Sequence, residues 1–192
     1  MNIIINGGTR GIGKETALAF AREKNNMVII TGRNSEALEM LSSNAVNKNV
    51  IAFRLDISHF EEEEEMFVSS VKKHFENIDI LVNNAGELIL KDFRDFSQKE
   101  ARRLMEVNFV GPAGMIKCLE PLMKEGSHIV NISSMGGYQG SSKYRGLSYY
   151  SASKAALACL TECLAGEFSQ RGIAVNCLAL GAVNTEMFME AF

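Results

Sequence analysis

Six short apolar runs without polar alternation constrain this chain most: Ile3–Ile5, Met27–Thr31, Val50–Leu55, Ile78–Val82, His128–Ile132 and Ala174–Leu180. A strand with one wet face alternates apolar and polar residues, so these runs read as strands buried on both faces. Between them, helical spacing predicts helices near Ile12–Arg22, Ser35–Leu41, Phe60–Phe75, Gln98–Met123 and Tyr149–Gln170. Such strict alternation predicts an α/β fold, a Rossmann-type doubly wound parallel sheet with helices on both sides. The 192 residues, 46% of them hydrophobic, fill one core and are too few for two ordinary domains, so 1–192 is expected as a single domain. The acidic run Glu61–Glu65 reads as a solvated helix face, with Ser58 and Glu61 as its capping box and Phe67, Val71 and Phe75 as its buried stripe.

Charge and cysteine content exclude several classes. Twenty basic against 23 acidic residues leave no surplus for nucleic acid or an anionic membrane. No run approaches membrane-spanning length, and no basic segment precedes a long apolar stretch at Met1-Asn2-Ile3, so a cytoplasmic protein is expected. Cys118, Cys159, Cys163 and Cys177 form no C-x-x-C pair; they read as small buried thiols in a reducing compartment, and no metal site is expected.

In a doubly wound sheet, ligands bind beyond the carboxyl ends of the strands. After the first strand comes Asn6-Gly7-Gly8-Thr9-Arg10-Gly11-Ile12-Gly13, where glycines permit a tight turn and close approach to a pyrophosphate held by helix amides. Gly8 to Lys14 also spells the opening of a nucleotide triphosphatase loop, but Glu15 stands where a magnesium-binding hydroxyl belongs. The second strand ends on Gly32, without the carboxylate that a free adenosine ribose needs, and this also argues against a methyl-transfer domain. Arg33 follows, and with Arg10 it can flank an adenosine 2′-phosphate, which favours NADP(H), with NAD(H) as second choice. In Ser148-Tyr149-Tyr150-Ser151-Ala152-Ser153-Lys154, residues four apart share a helix face, so Tyr150 faces Lys154 and Tyr149 points a quarter turn away.

With the glycine loop, Asn83-Asn84-Ala85-Gly86, Asn131-Ile132-Ser133-Ser134 and Tyr150-x-x-x-Lys154 in this order, the chain resembles the short-chain dehydrogenase/reductase family over essentially its whole length. The resemblance implies hydride transfer between NADP(H) and a carbonyl or secondary alcohol. It implies Tyr150 as acid or base, Ser134 as donor to the substrate oxygen, Lys154 as holder of the nicotinamide ribose and tuner of the phenol, and Asn108 as carrier of a water linking Lys154 to solvent. The cofactor contacts implied are Gly7, Thr9, Arg10, Gly11, Ile12 and Gly13 in the first loop, Arg33, and Asp56 against the adenine. Asn83, Ala85 and Gly86 follow the fourth strand, Tyr150 and Lys154 also touch the cofactor, and Gly181, Val183 and Thr185 lie at the nicotinamide end. A homo-oligomer, dimeric and possibly tetrameric, is implied by the apolar helix Tyr149–Gln170.

Some positions depart from the family pattern. Asn6 replaces a threonine, Leu180-Gly181 replaces Pro-Gly, and Ser134 to Tyr150 is a few residues long, its glycines suggesting a flap over the substrate. The family continues into a helix pair and a last strand beyond Met187–Phe192, so six strands are expected here with the C-terminal one missing. A cofactor-binding sensor without turnover, or a truncated inactive member, is the alternative reading.

Overall fold

The computed structural model describes residues 1–191; Phe192, the end of the expected C-terminal stretch, lies outside them. The elements run β1 (Asn2–Asn6), α1 (Gly11–Ala21), β2 (Met27–Gly32), α2 (Ser35–Asn44), β3 (Val50–Arg54), α3 (Phe60–His74) and β4 (Ile78–Asn83). They continue with α4 (Gln98–Met105), α5 (Gly111–Leu119), β5 (Met123–Ser134), α6 (Ser148–Phe168), β6 (Ala174–Leu180) and α7 (Glu186–Ala191). All strands are parallel, in the order β3-β2-β1-β4-β5-β6. The three isoleucines of β1 explain the missing alternation: Ile4 packs into the core on one face and Ile3 and Ile5 into the core on the other, all at 0% exposure. The order reverses between β1 and β4, which places the crevice at that switch point. No helix among the described residues is long and apolar enough to cross a membrane.

Three expectations are corrected. The predicted helix Gln98–Met123 is broken: α4 passes through a widened turn at Glu106–Val110, where the Gly111 amide donates to the Glu106 carbonyl, into α5. Pro112 has no amide to continue the regular ladder there. Ser58 does not cap α3. Its amide and hydroxyl donate to Asp56 Oδ1 at 3.1 and 2.8 Å, so Asp56 caps a short 3-10 turn, Ile57–His59, that precedes the helix. The capping box of this chain is instead Ser97 with Glu100, at the start of α4. The cysteines are free but not buried: Cys159 and Cys163 are exposed on one face of α6, and Cys118 and Cys177 are partly covered. α7 has no counterpart among the expected elements.

Candidate active site

The glycine loop is tied down from two strands. The Gly7 and Gly8 amides donate to the Thr31 carbonyl of β2 at 3.0 and 2.9 Å, and the Asn6 carbonyl accepts from the Asn84 and Ala85 amides beyond β4. Asn6 Oδ1 accepts from Thr31 Oγ1 at 3.0 Å, so the amide standing in for threonine still anchors the loop. Gly7 has φ +80°, the left-handed region that suits glycine. A methyl group on Gly13 would stand 2.1 Å from the Gly7 carbonyl oxygen and 2.4 Å from Asn84 Nδ2, which itself donates to that oxygen. Only glycine lets α1 seat this closely. Arg10 gives α1 no side-chain cap and its first turn carries no acid, which leaves the orphan amides available to an anion. A glycine-walled turn with an uncapped helix end fits a pyrophosphate.

Gly7, Thr9, Arg10, Gly11, Ile12, Arg33, Asp56, Ala85, Gly86 and Thr185 come together around one cleft of about 140 Å³, joined by Asn6, Gly32, Asn84, Val107, Glu186 and Met187. Lys14 is exposed and outside this lining, which removes the triphosphatase reading. Gly13 lies behind the loop. Asn83 is 1% exposed, and its Nδ2 donates to Asn131 Oδ1 at 2.9 Å, so it braces β4 against β5; its own Oδ1 has no partner. Gly181 and Val183 are exposed outside the cleft, Val183 bordering a separate cavity under α7. Burial pushes the Asp56 carboxyl upward, but its Ser58 hydrogen bonds and the Arg103 and Arg33 guanidiniums outweigh this and hold it below its usual value.

The second group of residues lies at the end of β5 and the start of α6. Strand alternation separates the two serines: Ser133 Oγ donates to the Lys154 carbonyl at 2.8 Å, while Ser134, whose Oγ accepts from the Gly136 amide at 3.1 Å, stands on the Tyr150 side and pulls the phenol's pKa down. Tyr150 is 7% exposed, and burial raises its pKa above 10.0 against the opposing effect of Ser134. Lys154, 3% exposed, lies one turn further along α6. Its Nζ donates to the Ile132 carbonyl at 2.9 Å, and burial drives its pKa down to about 8, with Cys177 pulling the other way.

Asn108, in the widened turn, accepts from the Glu87 amide and donates to the Glu87 carbonyl, both at 2.9 Å, and donates to Ser153 Oγ at 3.0 Å. A methyl on Gly86 would stand 3.2 Å from Lys154 Nζ and 3.3 Å from Asn108 Oδ1, a measure of how closely these groups converge. Tyr149 instead packs between Phe93 and Phe96, with ring centroids 5.6 and 4.9 Å away. The segment after Ser134 is tied to the Leu90–Asp92 stretch by an Arg145–Asp92 ion pair at 2.6 Å and by the Lys91 amide on the Gly146 carbonyl.

Sequence reasoning missed Asn84, Ser153, Glu87 and Arg103. Asn84 Nδ2 donates to the Gly7 carbonyl at 2.8 Å, a loop-bracing bond that only its place beside the glycine loop in the fold reveals. Arg103 Nε donates to Glu87 Oε2 at 3.1 Å and its Nη1 to Ser58 Oγ at 2.6 Å, linking α4 to the turns after β3 and β4. The available signal was a charged residue directly after Asn-Asn-Ala-Gly.

The family described as short chain dehydrogenase matches residues 1–192. A 3-oxoacyl-[acyl-carrier-protein] reductase of Synechocystis is 30% identical over 190 residues, 96% of this chain and 74% of the relative. Among solved structures, a short-chain dehydrogenase from Streptomyces avermitilis superposes with TM-score 0.87 at 35% identity, over 97% of this chain and 67% of that one. Another from Burkholderia cenocepacia, in complex with NADP, gives 0.88 at 29% identity, over 96% and 75%.

Proposed function

The chain belongs to the short-chain dehydrogenase family, and we propose that it transfers hydride between NADP(H) and a carbonyl or secondary alcohol. The observation that carries this reading is the placement of Ser134 beside a buried Tyr150, one helical turn from a sequestered Lys154. A nicotinamide dinucleotide in the cleft supplies or accepts the hydride. In reduction, Tyr150 gives its proton to the substrate oxygen while Ser134 donates a hydrogen bond to that same atom. The phenol is protonated at neutral pH, as a proton donor must be, and burial raises its pKa further. Oxidation requires the phenolate, and Lys154 is the cation that α6 carries four residues on. Asn108 holds the Glu87 backbone and Ser153 beside Lys154, a position suited to relaying a proton toward solvent.

Arg10 and Arg33 receive the 2′-phosphate in this reading, and the NADP complex of the Burkholderia relative supports the choice. Asp56 meets the adenine, and Gly181, Val183 and Thr185 meet the nicotinamide end. The reading takes 1–192 as one catalytic domain acting on a small molecule in the cytoplasm, paired with a second copy through α6. Fluorescence titration with NADPH and NADH, followed by loss of reduced-cofactor absorbance across a panel of ketones, tests it. Tighter NADPH binding with turnover of at least one ketone is expected; binding without any turnover would favour a sensor, and no binding would end the proposal.

A further inference from the structure

Arg10 and Arg33, the two guanidiniums assigned above to the 2′-phosphate, are each already paired with a carboxylate of this chain. Arg10 Nη1 donates to Glu190 Oε1 of α7 at 2.6 Å, and Arg33 Nη1 stands 3.9 Å from Glu87 Oε2 beyond β4. Glu87 is held in place. Its carboxylate also accepts from Arg103 Nε at 3.1 Å, and its backbone amide and carbonyl are both engaged by the Asn108 side chain. Glu190 arrives on a helix whose other carboxylate, Glu186, stands 3.5 Å from where a methyl on Gly11 would lie, at the start of α1. The cleft that remains is about 140 Å³, below the roughly 300 Å³ at which small-molecule sites begin.

We infer that Glu87 and Glu190 compete with the adenosine 2′-phosphate for Arg33 and Arg10, and so set the margin by which this chain prefers NADP(H) to NAD(H). The inference rests on the proposed cofactor reading. A carboxylate carries one negative charge and a phosphate monoester about 1.5 to 2, so the phosphate wins each guanidinium by a reduced margin. NADH carries no group that needs either arginine and is indifferent to the pairing. The Arg10–Glu190 side chains are 48% and 62% exposed, which makes the pair weak enough to exchange, as a competitor must be. Glu87, anchored by Arg103, acts from a fixed position and repels an incoming phosphate as well as occupying Arg33.

Calorimetric binding of adenosine 2′,5′-bisphosphate and of adenosine 5′-monophosphate to the full chain separates the possibilities, with NADPH and NADH run in parallel. Glu87→Gln and Glu190→Gln are each expected to tighten the bisphosphate about two- to five-fold and to leave the monophosphate unchanged. The gain should fade as salt approaches about 1 M, where the screening length is about 3 Å. No tightening in either variant overturns the inference. So does equal tightening of both nucleotides, which would make the carboxylates mere obstructions of the cleft. Equal wild-type affinity for the two nucleotides overturns the phosphate reading itself and this inference with it. Thermal melts identify a folding defect in Glu87→Gln, and the exposed Glu190→Gln then decides alone.

Discussion

Ser134 stands beside the Tyr150 phenol and pulls its pKa down, whereas its neighbour Ser133 points the other way and holds the Lys154 carbonyl. The two serines therefore separate chemistry from support. Ser134→Ala is expected to lower kcat about 10²- to 10³-fold, as loss of an oxyanion donor does, with little change in melting temperature. Ser133→Ala should keep most turnover and lose about 1 kcal/mol of stability through one buried hydrogen bond. Steady-state kinetics and urea unfolding on both variants check this; equal kinetic losses would contradict the division.

Cofactor choice is tested at Arg33. Arg33→Ala is expected to weaken NADPH by about 1–3 kcal/mol, the range for charge-assisted hydrogen bonds to an ionised group, and scarcely to touch NADH. Fluorescence titration reads both affinities. Equal losses would show that Arg33 does not read the phosphate, and a wild-type preference for NADH would refute the assignment outright.

Much of this was legible because the fold repeats one local rule. Ile3-Ile4-Ile5 lacks polar alternation since both faces of β1 are buried, and the glycine loop announces itself by the backbone approach it permits. The serine motif points to Ser134, and the alternation of β5 turns its neighbour Ser133 toward the Lys154 carbonyl. What stayed hidden depends on long-range meetings. Arg10 and Glu190 are 180 positions apart and pair only because α7 folds back onto the first loop. The break at Glu106–Val110 is signalled by Pro112, but a strong helical pattern on either side masks it. Ser58 looked like a cap until Asp56, two residues earlier, took its hydroxyl. Spacing on a helix also says nothing about where the Lys154 Nζ goes, and here it goes to the Ile132 carbonyl.

Buried Lys154 makes stability depend on pH in a defined direction. Its pKa falls from 10.5 to about 8 on folding, so between those values the unfolded chain binds a proton that the folded chain does not. Stability from this group therefore rises with pH across that window, by up to about 3 kcal/mol, and is flat below it. Lys154→Met lacks the group. The wild-type minus variant unfolding free energy, from urea melts at several pH values, should climb between pH 8 and 10.5; a flat or falling difference would contradict the depressed pKa.

The proposed pairing rests on α6, where Cys159 and Cys163 are exposed and Ala155, Ala156, Ala158 and Leu160 are only partly covered. A helix this apolar on its outer side calls for a second cover, and a two-fold pairing with its own copy supplies one. Light scattering at micromolar concentration should give twice the chain mass of 21.1 kDa. A stable, well-folded monomer would sink the idea.

The central claim is that Tyr150 is the proton donor of a hydride-transfer site, and one variant addresses it directly. Tyr150→Phe removes the phenolic hydroxyl and keeps the ring that fills its buried site, so fold and NADPH affinity should stay close to wild type. With a ketone that the wild type turns over, the rate of NADPH absorbance loss is expected to fall by at least about 10²-fold in Tyr150→Phe, and to remain near wild type in Tyr149→Phe. Retention of most activity in Tyr150→Phe, or equal losses in the two variants, would contradict the account.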